Sequence, residues 1–132
     1  MEIKAGIKGK SELIVTKDKT AEAIGSGLLP VFATPYMVAL MENTCSDSML
    51  KYMDEGYGTV GTKLEVEHIS ATPVGMKVRC ESELIEIDRR RLVFSVECYD
   101  ETGKIGFGRH ERFIIDNDKF MSKCREKIGK KN

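Results

Sequence analysis

The chain has 132 residues, of which 41% are hydrophobic and 32% charged, a composition that suits a folded globular protein and excludes a disordered one. Lysine plus arginine and aspartate plus glutamate each number 21, for a formal net charge of +0. With no block of basic residues, non-specific nucleic-acid binding is a poor fit.

The length predicts one domain, 1–132, with 117–132 as a polar C-terminal tail that forms a short helix. Residues 3–15 alternate weakly, with Ile3, Ala5, Ile7, Leu13 and Val15 on one parity, as in a half-exposed strand. The run DKTAEAIGSG, 18–27, predicts a short helical turn closed by Gly25 and Gly27. An apolar approach, Leu28 to Ala33, leads to Thr34-Pro35. There the threonine is expected to cap a helix and the proline to take its first position, where no N–H is needed. That helix is predicted from Pro35 to about Asp54, until Gly56 stops it. Its first half, PYMVALM, is apolar on almost every side, which implies burial over most of its circumference.

The rest reads as strands. In 59–70, Val60, Leu64, Val66 and His68 share one face, and Lys63, Glu65 and Glu67 the other. Thr72-Pro73-Val74-Gly75 is a turn. In 76–87, Met76, Val78, Cys80 and Leu84 alternate with charged residues. After a turn at Asp88 to Arg90, Leu92, Phe94, Val96 and Cys98 form the inner face of 91–99. Glu101-Thr102-Gly103-Lys104 is a hairpin connection. In 105–115, Ile105, Phe107, Phe113 and Ile115 are expected inward, with His110 and Arg112 on the outer face.

One apolar helix and one antiparallel sheet with an apolar face to cover give an α+β architecture. Its economical form is the hot-dog fold, a five-stranded antiparallel sheet wrapped around a long central helix. Joining two sheets edge to edge removes an exposed strand edge, so a homodimer is expected.

No run approaches the about 18 apolar residues of a membrane span. The N-terminus carries lysines and glycines where a signal peptide would be apolar. A cytoplasmic location, with no membrane partner, is expected. Cys45, Cys80, Cys98 and Cys124 form no C-x-x-C pair and read as free thiols. There is no nucleophile elbow, phosphate loop or metal-ligand spacing, so neither a metal nor a cofactor is predicted.

Three side chains do not fit a core. Glu42 shares its side of the helical wheel with Pro35, Val38, Ala39, Cys45, Ser46, Met49 and Met53. A carboxylate there is costly unless paired. It either reaches water at an edge or acts as a functional acid. His68 lies on the inward parity of its strand; facing Glu42, it could help activate a water or hydroxyl. Thr34 lies eight residues before Glu42, about 12 Å along the helix, so only a substrate or water could bridge the two. Gly61 either lets a ligand approach the backbone or marks a bulge.

The segments VFATPYMVALMENTC, GTVGTKLEVEHISATPVG and GRHERFIID together resemble the fluoroacetyl-CoA thioesterase-like group of hot-dog proteins, over roughly residues 10–116. The resemblance implies an acyl-CoA thioesterase with Thr34, Glu42 and His68 as catalytic residues and Gly61 as a substrate contact. Leu28, Phe32 and Arg112 are further candidates for substrate contact. Coenzyme A enters only as part of the substrate, its phosphates meeting surface lysines and arginines. Where the fluoroacetyl-specific enzyme uses a phenylalanine lid ahead of the helix, this chain has Gly25 and Leu28, with Phe32 the only aromatic nearby. That departure implies a general acyl-CoA thioesterase. A non-catalytic acyl-thioester or small-carboxylate binding protein, and a hydratase of enoyl thioesters, are the rival readings on the same fold.

Overall fold

In the computed structural model, which describes residues 1–130, the apolar helix forms where Thr34-Pro35 predicts it. Helix α2 spans Thr34–Met49 and runs into a 3-10 turn, Leu50–Tyr52, short of the expected Asp54. A one-turn helix, α1 (Ala21–Ile24), precedes it and ends at Gly25, whose φ of 77° lies in the left-handed region that glycine tolerates. The strands are β1 (Lys8–Ile14), β2 (Tyr57–His68), β3 (Lys77–Asp88), β4 (Arg91–Asp100) and β5 (Gly103–Asp116). They form one antiparallel sheet in the order β1-β3-β4-β5-β2, so β1 and β2 are its edges. Helix α3 (Asn117–Arg125) and a 3-10 segment, Glu126–Lys130, make the polar tail, whose last two residues, Lys131 and Asn132, lie outside the described residues.

The sheet wraps α2. Met37, Leu40, Met41, Cys45 and Met49 of the helix pack with Val78, Cys80 and Leu84 of β3 and Leu92, Phe94, Val96 and Cys98 of β4. The helix is buried on one face and not all round. Pro35 and Ala39 are exposed and Val38 is half-buried, on the same flank as Glu42. Thr44, although polar, is buried on the inner face. Its hydroxyl donates to the Leu40 carbonyl at 2.7 Å, which satisfies it within the helix.

Two β-bulges overturn the expected facing of the strands. In β5, Cys98 pairs with Gly106 but Tyr99 with Lys104, so Ile105 is an extra residue. Ile105 points inward as predicted. The parity then flips, because a one-residue slip moves every later side chain to the other face. His110 and Arg112 are buried, while Phe107 and Phe113 lie 37% and 41% exposed on the outer surface. In β2, Gly61 pairs with Arg112 and Lys63 with Glu111, which makes Thr62 the extra residue. Leu64, Val66 and His68 face the helix as predicted. Val60, paired with Phe113, belongs to the outer face, and Gly61 is turned to the helix in its place.

Among the described residues, no helix is long and apolar enough to cross a membrane. Cys45, Cys80 and Cys98 are buried free thiols and Cys124 is exposed.

At the other edge, β1 passes close beneath the helix at Gly9. A Cβ there would come within 2.6 Å of Ser82 Oγ, 2.8 Å of Ser48 Cβ and 2.9 Å of the Thr44 carbonyl oxygen. The last is backbone and cannot step aside. Gly9→Ala is therefore expected to cost about 1–3 kcal/mol of stability, the usual range for overpacking. Urea unfolding of the variant checks this; an unchanged midpoint would show that the helix can lift off β1 without loss.

Candidate active site

Helix α2 begins without a side-chain cap. Ala33 occupies the capping position in extended conformation, with no side-chain hydrogen bond. Thr34 is already the first helical residue and not the cap that its chemistry suggests. Its hydroxyl is thereby free for another partner, and Oγ1 lies 2.8 Å from Nδ1 of His68, the last residue of β2. Phe32 stands edge-on to the imidazole, ring centroids 6.4 Å apart at 79°. His68 is half-buried, and Nε2 is buried without a hydrogen-bond partner among the described residues. Burial pushes its pKa below the ordinary value, and the Ser70 backbone opposes this only in part. A neutral imidazole at pH 7, in contact with a hydroxyl, can accept a proton.

Thr34 and His68 open into a crevice of about 280 Å³, lined also by Ser26, Val31, Phe32, Ile69 and Ala71. Its two walls are tied together. The Phe32 N–H donates to the Thr72 carbonyl at 2.9 Å, and the buried Thr72 hydroxyl donates to Asp100 Oδ2 at 2.8 Å. Phe32 is buried at the back of this crevice. Leu28 is 90% exposed and takes no part in the lining.

Glu42 is elsewhere. Its half-buried carboxylate lies against Gly61: a Cβ on that glycine would stand 3.1 Å from Glu42 Oε2, 3.1 Å from His110 Cε1 and 3.3 Å from Arg112 Nη1. Gly61 and His68 are about 20 Å apart along β2 at the rise of an extended strand. The expected meeting of Glu42 with His68 is therefore not made within one chain. Thr34, His68 and Phe32 form one cluster; Glu42, Gly61 and Arg112 form another.

Arg112 and His110, expected on the outer face, belong to the second cluster. Arg112 Nε donates to Thr59 Oγ1 at 2.8 Å and Nη2 to the Thr59 carbonyl at 2.9 Å. Nη1 lies 3.1 Å from His110 Nε2, and His110 Nδ1 lies 2.8 Å from the Lys63 carbonyl. Burial lowers the His110 pKa; the Lys63 carbonyl opposes this and the Arg112 charge adds to it. Sequence reasoning missed His110 and Thr59. The available signal was the pair Gly106 and Gly108, which share the parity of His110 and Arg112. Gly106 allows close approach to the helix, since a Cβ there would meet Met37 Sδ at 2.5 Å.

The two histidines set a sign for acid stability. Both are held below the ordinary pKa in the folded state, so the unfolded chain binds more protons. Stability is then full above the unfolded value, near 6.5, and is lost as pH falls from there through the lower folded values. Urea midpoints are expected to fall between pH 7.5 and pH 5.5, with the decline reduced in His110→Asn. A decline of equal size in that variant would remove His110 as a source.

Comparison with known proteins gives consistent relatives. A family model for the fluoroacetyl-CoA-specific thioesterase matches residues 15–118. The fluoroacetyl-CoA thioesterase of Streptantibioticus cattleyicolor is 43% identical over 97 residues, which is 74% of this chain and 70% of that protein. A crystal structure of the fluoroacetyl-CoA thioesterase FlK is 34% identical, covers 96% of this chain and 98% of that one, and superposes with a TM-score of 0.91. A thioesterase superfamily member from Thermus thermophilus is 30% identical, with coverage of 98% and 96% and a TM-score of 0.90. Variants of FlK have been crystallised with acetyl-CoA, and with fluoroacetate and CoA.

Proposed function

The chain belongs to the fluoroacetyl-CoA-specific thioesterase family, and from that premise we propose that it hydrolyses a small acyl-CoA thioester at a site built from Thr34, Glu42 and His68. It is a thioester hydrolase, releasing the free acid and coenzyme A. The observation that carries the site assignment is the 2.8 Å contact between the Thr34 hydroxyl and a neutral His68 inside a crevice.

The thioester carbonyl lies at the start of α2, where Pro35 has no N–H and Tyr36 and Met37 donate to the Ala33 carbonyl, so the Thr34 N–H is the backbone donor left to stabilise the developing oxyanion. Thr34, held by His68, positions the acyl group or the attacking water. Glu42 either attacks the carbonyl carbon or takes a proton from a water that does so. In either route the C–S bond breaks, and the thiolate of coenzyme A leaves and is protonated; after direct attack the acyl group is left as an anhydride on Glu42, which a water then hydrolyses to the free acid and the regenerated carboxylate. Oxygen-18 from solvent recovered in Glu42 after a single turnover establishes direct attack. Surface lysines and arginines meet the coenzyme phosphates. The Gly25 and Leu28 positions, with no aromatic lid, favour a general acyl substrate over a fluorinated one.

The separation of the two clusters supports a dimer with sites shared between copies. β2 is an exposed edge, and the apolar flank Pro35, Val38 and Ala39 of α2 stands uncovered beside it. If two β2 strands pair antiparallel about a twofold axis near Leu64 and Glu65, His68 of one copy lies beside Gly61 of the other. Each Glu42 then completes the crevice of its partner. An acyl-CoA substrate and the free thiols fit a cytoplasmic site of action.

A free-thiol release assay over an acyl-CoA panel is expected to show turnover that falls at least 100-fold in Glu42→Gln and in His68→Asn. Light scattering is expected to give a dimer mass. Mixing the two inactive variants after unfolding and refolding together should restore up to about a quarter of wild-type activity, because half of the molecules are mixed dimers with one intact site each. No recovery from a confirmed mixed dimer would rule out the shared site.

A further inference from the structure

Arg112 is a cation only 7% exposed, and its hydrogen-bond partners are all neutral. The contact with His110 defines the state of that histidine. A guanidinium can only donate, so His110 Nε2 accepts and carries no proton. The Lys63 carbonyl can only accept, so His110 Nδ1 carries the proton. His110 is therefore neutral in one tautomer, and it serves as the third anchor of the guanidinium after the two bonds to Thr59. One N–H on Nη1 and one on Nη2 remain outside these bonds. Neutral anchors fix the geometry but leave the charge uncompensated, and a buried charge needs a counter-charge.

The carboxylate beside this guanidinium on the inner face is that of Glu42. Its Oε2 and Arg112 Nη1 face each other across the notch left by the missing side chain of Gly61, 3.1 Å and 3.3 Å from the point a Cβ would occupy. Among the described residues, no direct ion pair joins them. The acidic neighbour on the outer face, Glu111, is already engaged by Arg91 at 2.8 Å.

We propose that Arg112, anchored by Thr59 and the neutral His110, is the positioning residue for Glu42, holding its carboxylate against the open backbone of Gly61. The inference rests on Glu42 serving the thioester hydrolysis proposed above. It makes Arg112 a support for the carboxylate, and it gives His110 the task of keeping the guanidinium in place. It also accounts for Gly61, since any side chain there would stand between the two groups.

The test is a double-mutant cycle with the acyl-CoA ester that the wild-type protein turns over best. Arg112→Met is expected to lower kcat about 10- to 100-fold and leave KM within about twofold, and Arg112→Lys to recover part of the loss. Residues that act through one another are non-additive, so adding Arg112→Met to Glu42→Gln should cost less than about threefold more. Losses that multiply in the double variant would overturn the proposal, as would a rise in KM with kcat unchanged. His110→Asn, which keeps a donor for Lys63 and removes the acceptor for Arg112, should behave in the same way and serves if Arg112→Met does not fold. A readout independent of turnover is the carbon-13 resonance of the Glu42 carboxyl. It should be displaced in Arg112→Met and restored towards wild type in Arg112→Lys. An undisplaced resonance refutes the positioning role even if the wild type hydrolyses the ester; a displaced one in a protein that releases no thiol upholds that role and refutes the hydrolase reading.

Discussion

The hydrogen bond between the Thr34 hydroxyl and the His68 ring joins the first residue of the helix to the last residue of an edge strand. A bond of this kind contributes only about 1 kcal/mol net. It cannot set the distance between two elements; it can only report that the core has set it. The core does so with side chains such as Met37, Met41, Leu92 and Phe94, each contributing about 1.5–3 kcal/mol when fully buried. The tie from Phe32 through Thr72 to Asp100 then holds the crevice walls at the spacing the pair requires.

The same packing keeps Glu42 away from the Thr34–His68 pair. A helix rises about 1.5 Å per residue and a strand about 3.3 Å. Helix α2 carries Glu42 to the middle of β2 while His68 remains at its end, so one chain holds the two clusters apart, as the two halves of the proposed site. The proposed dimer follows from this geometry and from the uncovered flank of α2 beside an unpaired strand edge. The feature that separates the half-sites within a chain is also the one that would bring complementary halves together across a twofold axis.

The two histidines are both neutral, for different uses. His68 is lowered chiefly by burial and keeps a ring nitrogen directed at a hydroxyl. His110 is also lowered chiefly by burial, but both of its nitrogens are committed, one to a carbonyl and one to a guanidinium. The first is placed to exchange a proton with the Thr34 hydroxyl, as the proposed hydrolysis requires. The second is locked between a donor and an acceptor, which suits support and not proton transfer.

The hot-dog architecture was legible in the sequence because periodicity survives in long elements. An apolar run after Thr34-Pro35 and four alternating strands leave few ways to bury one face. The candidates Thr34, Glu42, His68 and Gly61 were also legible, as polar or bare positions on apolar sides and through resemblance. Tertiary structure alone decided how they meet. Two single-residue bulges, at Thr62 and Ile105, reversed the parity of the strand segments beside them. They turned Gly61, His110 and Arg112 towards the helix and sent Val60, Phe107 and Phe113 outward. A bulge is a property of the pairing between two strands; a glycine such as Gly61 allows one, but only the register of the paired strands shows where it falls. The separation of Glu42 from His68 has the same origin: helix and strand advance at different rates, and only their packing shows which residues come level.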